Sequence, residues 1–254
     1  MRLYLCTFIF SLFSHQNYSQ DSDQNFEKLK KAYPDFIKNS SGNKLILYDN
    51  SLLTFDGGKS KNQKELIENA DIEDMFKFSY VNYKNIKKTD AGRIRNNAFF
   101  KKMYGSSKKE VEKNLVEIIW CPKLVNQKIK ITTVNNVADK IRKISDELDQ
   151  HSELTKYLTN IGGTFNWRNI AGTNRLSMHS FGMTIDINVS YGDYWQWQCK
   201  CTDESKEILY RNRIPEIIVA IFEKYGFIWG GNWTHFDTMH FEYRPELLID
   251  SGKN

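Results

Sequence analysis

The clearest hydrophobic pattern in the chain runs from Met183 to Val189. Met183, Ile185, Ile187 and Val189 fall on one face, and Thr184, Asp186 and Asn188 on the other. This period of two predicts a half-buried β-strand with Asp186 on its polar side. Gly182, just before it, gives the backbone freedom for a tight turn. His179 can therefore return to the side that carries Asp186. Residues Lys128 to Val134 alternate in the same way and predict a second strand. Asn135 or Asn136 is then placed to cap a helix whose Val137, Ile141, Ile144 and Leu148 form one apolar stripe. Pro215 opens a further helix running to Tyr225, with Gly226 just past its end, the expected asymmetry of proline first and glycine last. Phe227–Trp229 reads as a strand, Gly230 and Gly231 as a turn, and His240–Tyr243 alternates again.

Elsewhere the pattern is weaker. A short helix is expected around Phe26–Tyr33, stopped by Pro34, with strands at Lys44–Tyr48 and Leu52–Phe55. Leu66 to Lys77 has acidic helical character, and Lys87 to Arg95 is a basic, glycine-containing loop. Val111–Trp120 suits a helix or a strand equally. Gly162-Gly163 opens an expected strand over Thr164–Ile170 that contains Arg168, and Tyr191–Cys201 forms an aromatic loop with Trp195 and Trp197. Together these elements predict an α+β fold, helices around a small antiparallel sheet. Residues 21–107 read as an elaboration packed on a domain spanning 108–254, with no internal repeat.

Composition changes this picture little. Among 254 residues, 40% are hydrophobic and 26% charged, and the net charge of +5 is mild. No cluster of basic residues interleaved with aromatics points to nucleic acid. The N-terminus is more informative. Arg2 precedes the apolar run Leu3–Phe13, and polar residues follow from Ser14. Residues 1–20 thus have the form of a secretory signal peptide, too short for a stable membrane span. Export to the periplasm or beyond is the expectation. The remaining cysteines, Cys121, Cys199 and Cys201, allow one bridge from Cys121 to the Cys199/Cys201 pair, or buried free thiols.

Three of the five histidines, His179, His235 and His240, fall in the two stretches that also hold Asp186, Asp237 and Glu242. Imidazole nitrogen and carboxylate oxygen are zinc ligands, and a catalytic site combines three protein ligands with water. The best set is His179, Asp186 and His240. Asp237 is then placed to take a proton from water, and Arg168 or Arg175 to stabilise an oxyanion or hold a substrate carboxylate. His235 competes as a ligand and Glu242 as the base. A serine hydrolase is disfavoured because Ser177 lies in no Gly-x-Ser-x-Gly elbow. It more plausibly supports the site.

Ser177-x-His179-x-x-Gly182-x-x-x-Asp186, followed by Asp237-x-x-His240-Phe241, resembles the zinc metallopeptidases that cut peptidoglycan stem peptides. These are the D-alanyl-D-alanine carboxypeptidases of the vancomycin-resistance type and the L-alanyl-D-glutamate endopeptidases. Flanking residues from Gly163 to Arg168 and from Trp229 to Trp233 add to the likeness, which covers about Lys128 to Leu248. It implies a hedgehog/DD-peptidase-like sheet with Zn2+ on His179, Asp186 and His240. It also implies Asp237 as general base where many members have Glu, and, in a looser alignment, Arg168 as the transition-state arginine. Met183 stands where members often have a small residue. Ser177, Trp233 and Trp195 are the expected substrate contacts, and a peptidoglycan stem peptide the partner. D-Ala-D-Ala carboxypeptidase action, L-Ala-D-Glu endopeptidase action and a non-catalytic wall-binding module on the same fold are the readings this resemblance leaves open.

Overall fold

The computed structural model describes residues 22–80 and 89–249. The candidate signal segment lies outside them, as does the start of the basic loop. Among the described residues no helix is long and apolar enough to cross a membrane. The architecture is a mixture of helices and three small antiparallel sheets, in keeping with an α+β class. A helix over 22–32 precedes a three-stranded meander of β1 (Ile37–Ser41), β2 (Lys44–Leu47) and β3 (Leu52–Thr54). β4 (Leu115–Trp120) and β5 (Gln127–Thr132) form a separate antiparallel pair. The third sheet has β6 (Ile161–Gly163), β7 (Thr184–Asn188), β9 (His240–Tyr243) and β8 (Phe227–Trp229) in that spatial order.

The helix Val137–Leu148 buries Val137, Ile141, Ile144 and Leu148, the stripe seen in the sequence, and packs on β4, β5 and the helix Glu216–Lys224. Its start differs from expectation. Asn135 and Asn136 both adopt left-handed backbone, and Asn136 makes no side-chain cap. Asparagine tolerates that conformation, and the Asn135 side chain instead donates to the Tyr104 hydroxyl at 3.0 Å. One hydrophobic cluster runs from Leu29, Tyr33 and Ile37 through Phe99 and Phe100 to Phe222, Phe241 and Tyr243. The N-terminal third therefore shares its core with the C-terminal strands.

Several local expectations are corrected. Thr164–Ile170 is no strand: the strand is Ile161–Gly163, and the chain then leaves the sheet, forming only an isolated bridge between Asn169 and Leu176. Leu66–Lys77 is a helix over Gln63–Glu68 and a separate 3₁₀ turn, Glu73–Phe76. The helix ends at Asn69, ahead of Ala70, which is buried against Ile94. The ambiguous Val111–Trp120 divides into a helix, Lys108–Glu112, and β4. Cys199 and Cys201 are bonded to each other, and Cys121 is a buried free thiol, so no bridge reaches Cys121. Cys121 lies under the helix Val137–Leu148, where its N–H donates to the Ser145 hydroxyl at 2.7 Å.

β7 is also more enclosed than its alternation suggests. Its polar face is covered as well: Thr184 and Asn188 are buried and Asp186 is half-buried. On this strand alternation marks a site against a core, where water would ordinarily lie on the polar side.

Candidate metal centre

Sheet register builds the site. β7 and β9 pair antiparallel with Asp186 directly opposite His240 and Thr184 opposite Glu242. Cross-strand partners share a face, and so do residues two apart on one strand. Asp186, His240, Glu242 and Thr184 are therefore gathered on one side of the sheet. His179 arrives from the 3₁₀ turn Met178–Phe181. The Ser177 side chain caps that turn by accepting from the His179 N–H, and left-handed Gly182 (φ 66°) ends it. A side chain at Gly182 would meet Leu115 Cδ2 at 2.5 Å, so both backbone and space call for glycine.

The donor atoms of His179, Asp186 and His240 all lie within 4.8 Å of one another. His179 Nε2 is 3.1 Å from Asp186 Oδ2, and His240 Nδ1 is 2.8 Å from Asp186 Oδ1. The remaining nitrogens are held from behind. His179 Nδ1 donates to the Thr164 carbonyl at 2.9 Å, and the Thr184 hydroxyl donates to the same oxygen at 3.2 Å. A carbonyl can only accept, so Nδ1 carries the proton and Nε2 is the free lone pair. His240 Nε2 faces Glu242 Oε2 at 3.2 Å. Burial opposes charge on His240, but Asp186 and Glu242 on its two nitrogens take its pKa up to about 10. Asp186, despite burial, is held below the usual carboxylate range by the two imidazoles. Two imidazoles converging on a buried carboxylate, each oriented by a second partner, fit a divalent cation, which replaces the proton shared between ligands.

Asp237 lies beside this group. The residue is half-buried at the cleft, and its buried Oδ1 has no hydrogen-bond partner. Burial, then the charge of Asp186, push its pKa up to about 7, within the range a general base needs at neutral pH. A cleft runs past Asp186, Asp237 and His240 and is also lined by Arg168, Ser177, Trp195 and Trp233. Trp233 lies 5.6 Å from the His240 ring, with its indole N–H unpartnered. Arg168 is exposed at the cleft, its nearest acceptor the Asn169 carbonyl at 3.4 Å. Trp195 is buried against His235, and Trp197 is exposed.

The two competing assignments separate clearly. His235 is taken up by Asp90, with Nδ1 at 2.8 Å, and by the Glu204 carbonyl, and stays outside the ligand group. Glu242 is buried where it lines the cleft, and both of its oxygens are engaged, one by His240 and one by Arg244. Its role is to orient His240. Glu242→Gln is expected to weaken divalent-metal affinity about 10- to 100-fold, measured by competition with a chromophoric chelator. Unchanged affinity would remove Glu242 from that role. Sequence reasoning missed the Thr164 carbonyl, a main-chain group without a residue signature. It also missed the partner of His235, since Asp90 lies 145 positions away.

Residues 171–243 match a family model described as D-alanyl-D-alanine carboxypeptidase. The match includes all three members of the ligand group and Asp237, and it supports the carboxypeptidase-type family for this region. No curated protein and no solved structure matches the chain.

Proposed function

Taking residues 171–243 as a segment of that carboxypeptidase family, we propose that the protein is an exported zinc peptidase that hydrolyses peptidoglycan stem peptides and releases terminal D-alanine. The observation that carries this reading is the Asp237 carboxyl, with its buried Oδ1 unpartnered, next to the His179–Asp186–His240 group. A structural metal site has no need of such a group. Zinc held by those three residues supplies Lewis-acid polarisation of the scissile carbonyl and activation of water.

The other residues act as follows. Asp237 accepts a proton from the attacking water and delivers it to the departing amine, so the same carboxyl serves both halves of the reaction. Its Oδ1 has no competing partner to displace. Arg168, exposed at the cleft and only loosely held, moves onto the oxyanion as it forms. Trp233 and Trp195 wall the cleft, and Ser177 fixes the turn that presents His179. Residues 1–20 carry the chain to the wall.

The test pairs metal analysis of the purified protein with mass spectrometry of a synthetic stem pentapeptide, with and without chelator. One zinc per chain and chelator-sensitive loss of the terminal D-alanine are expected. Cleavage after L-alanine would replace this reading with an endopeptidase. Zinc without any cleavage would favour a wall-binding module, and absence of metal under zinc-replete conditions would sink the site.

A further inference from the structure

The cleft beside the ligand group has two arginines on its wall that the mechanism above does not use. Arg95 and Arg175 both line it, and they are only 7% and 8% exposed. Among the described residues neither has a carboxylate partner. Arg95 Nη2 donates to the Leu176 carbonyl at 3.1 Å, and its buried Nε has no acceptor. Arg175 Nη2 donates to the Arg93 carbonyl at 2.6 Å.

Their neighbours differ sharply. Arg93 is paired with Asp90 at 3.1 Å and Glu204 at 2.5 Å. Arg244 is paired with Glu242 at 3.1 Å and Glu246 at 2.5 Å. Glu242, whose charge reaches Arg95, is already engaged by Arg244 and His240. Burial and then the surrounding cations push Arg95 down to about 9 and Arg175 down to about 10. A buried, unpaired guanidinium is costly. Two of them at one cleft wall are an anion site waiting for its anion.

We propose that Arg95, with Arg175 beside it, binds the free C-terminal carboxylate of the substrate peptide. This rests on the peptidase reading and narrows it to a carboxypeptidase. Arg95 is tied to the Leu176 carbonyl, in the segment that runs directly into the His179 turn. The same guanidinium acts on Glu242, which touches His240. The arginine thus shares the cleft with Asp186 and His240, as a terminal carboxylate beside the scissile bond requires. A planar guanidinium with free N–H groups suits a carboxylate in the bidentate mode. The segment carrying Arg95 is held against the site at Gly92, where a Cβ would meet Ile228 Cδ1 at 2.4 Å and Glu242 Oε1 at 3.4 Å. Arg95 lies outside the family-matched region.

The experiment is equilibrium binding of acetyl-D-alanyl-D-alanine and of its C-terminal amide to the zinc-loaded full chain, by calorimetry, in an Asp237→Ala background that prevents turnover. The acid is expected to bind about 10- to 100-fold tighter than the amide. Arg95→Gln should abolish that preference and Arg95→Lys restore part of it, while the ligand-free unfolding temperature of Arg95→Gln stays level or rises. Arg175→Gln, a second variant, should reduce the same preference. Equal binding of acid and amide to the parent, or a preference that survives Arg95→Gln, would overturn the proposal. So would parallel loss of both ligands with a lowered unfolding temperature, which would mark Arg95 as structural. Failure of the unmodified enzyme to release D-alanine would count against the peptidase reading alone, because acid and amide are compared as binding.

Discussion

Asp237→Ala is expected to lower kcat by about 10²- to 10⁴-fold, the range of a lost general acid–base group, with zinc content and fold intact. Both halves follow from geometry. Asp237 is outside the ligand group, whose donor atoms come from His179, Asp186 and His240. Metal uptake therefore does not depend on it. Its Oδ1 makes no hydrogen bond, and truncation strands only the Met239 N–H that acts on the carboxyl. Removing a buried carboxyl that is repelled by Asp186 also relieves an unfavourable charge. Steady-state kinetics on a stem pentapeptide and metal analysis of the same sample check both. Turnover within a few-fold of the parent would withdraw Asp237 from the chemistry, and loss of zinc would make it a ligand.

His240→Ala gives the opposite signature. Metal should be lost and turnover should fall to background, with the chain still folded. His240 is one of the two imidazoles on Asp186, 2.8 Å from it, and lies 3.2 Å from Glu242 on its other side. Removing it takes away one ligand nitrogen and leaves two buried carboxylates facing each other across an empty position. Like charges in that arrangement raise one another's pKa, which further lowers the avidity of the pair at neutral pH. Elemental analysis after dialysis reads the metal, and circular dichroism the fold. Full zinc stoichiometry in this variant would contradict the assignment.

What was legible in the sequence was whatever leaves a short-range trace. The alternation from Met183 to Val189 located β7, the stripe Val137, Ile141, Ile144 and Leu148 located its helix, and Pro215 with Gly226 bracketed another. His179, Asp186 and His240 were found by chemistry and spacing, and register then put Asp186 and His240 opposite each other. What was not legible depends on partners distant in the chain. Thr164–Ile170 has strand composition, yet its first carbonyl is used on His179 and the chain turns away. Two neighbouring cysteines satisfied each other, which spacing alone did not favour over a bridge to Cys121. Arg95 read as one residue of a basic loop; only the fold brings it to the cleft beside Arg175 without a counter-charge.

The buried row on β9 has a consequence for the order in which this protein matures. From His240 the contacts pass to Glu242, Arg244 and Glu246, and Glu246 accepts from the Tyr33 hydroxyl at 2.6 Å, across 213 positions of chain. Arg244 also donates to the Gly92 carbonyl at 3.1 Å. Pairings this distant close late, after the local helices and hairpins have formed. Arg244 lies 152 positions after Gly92, so this contact forms only once both segments have been made. A chain cut before His240 thus lacks one member of the ligand group and the Arg244 contact to Gly92 together. The ligand group and Tyr33 are thereby tied into one buried row of contacts.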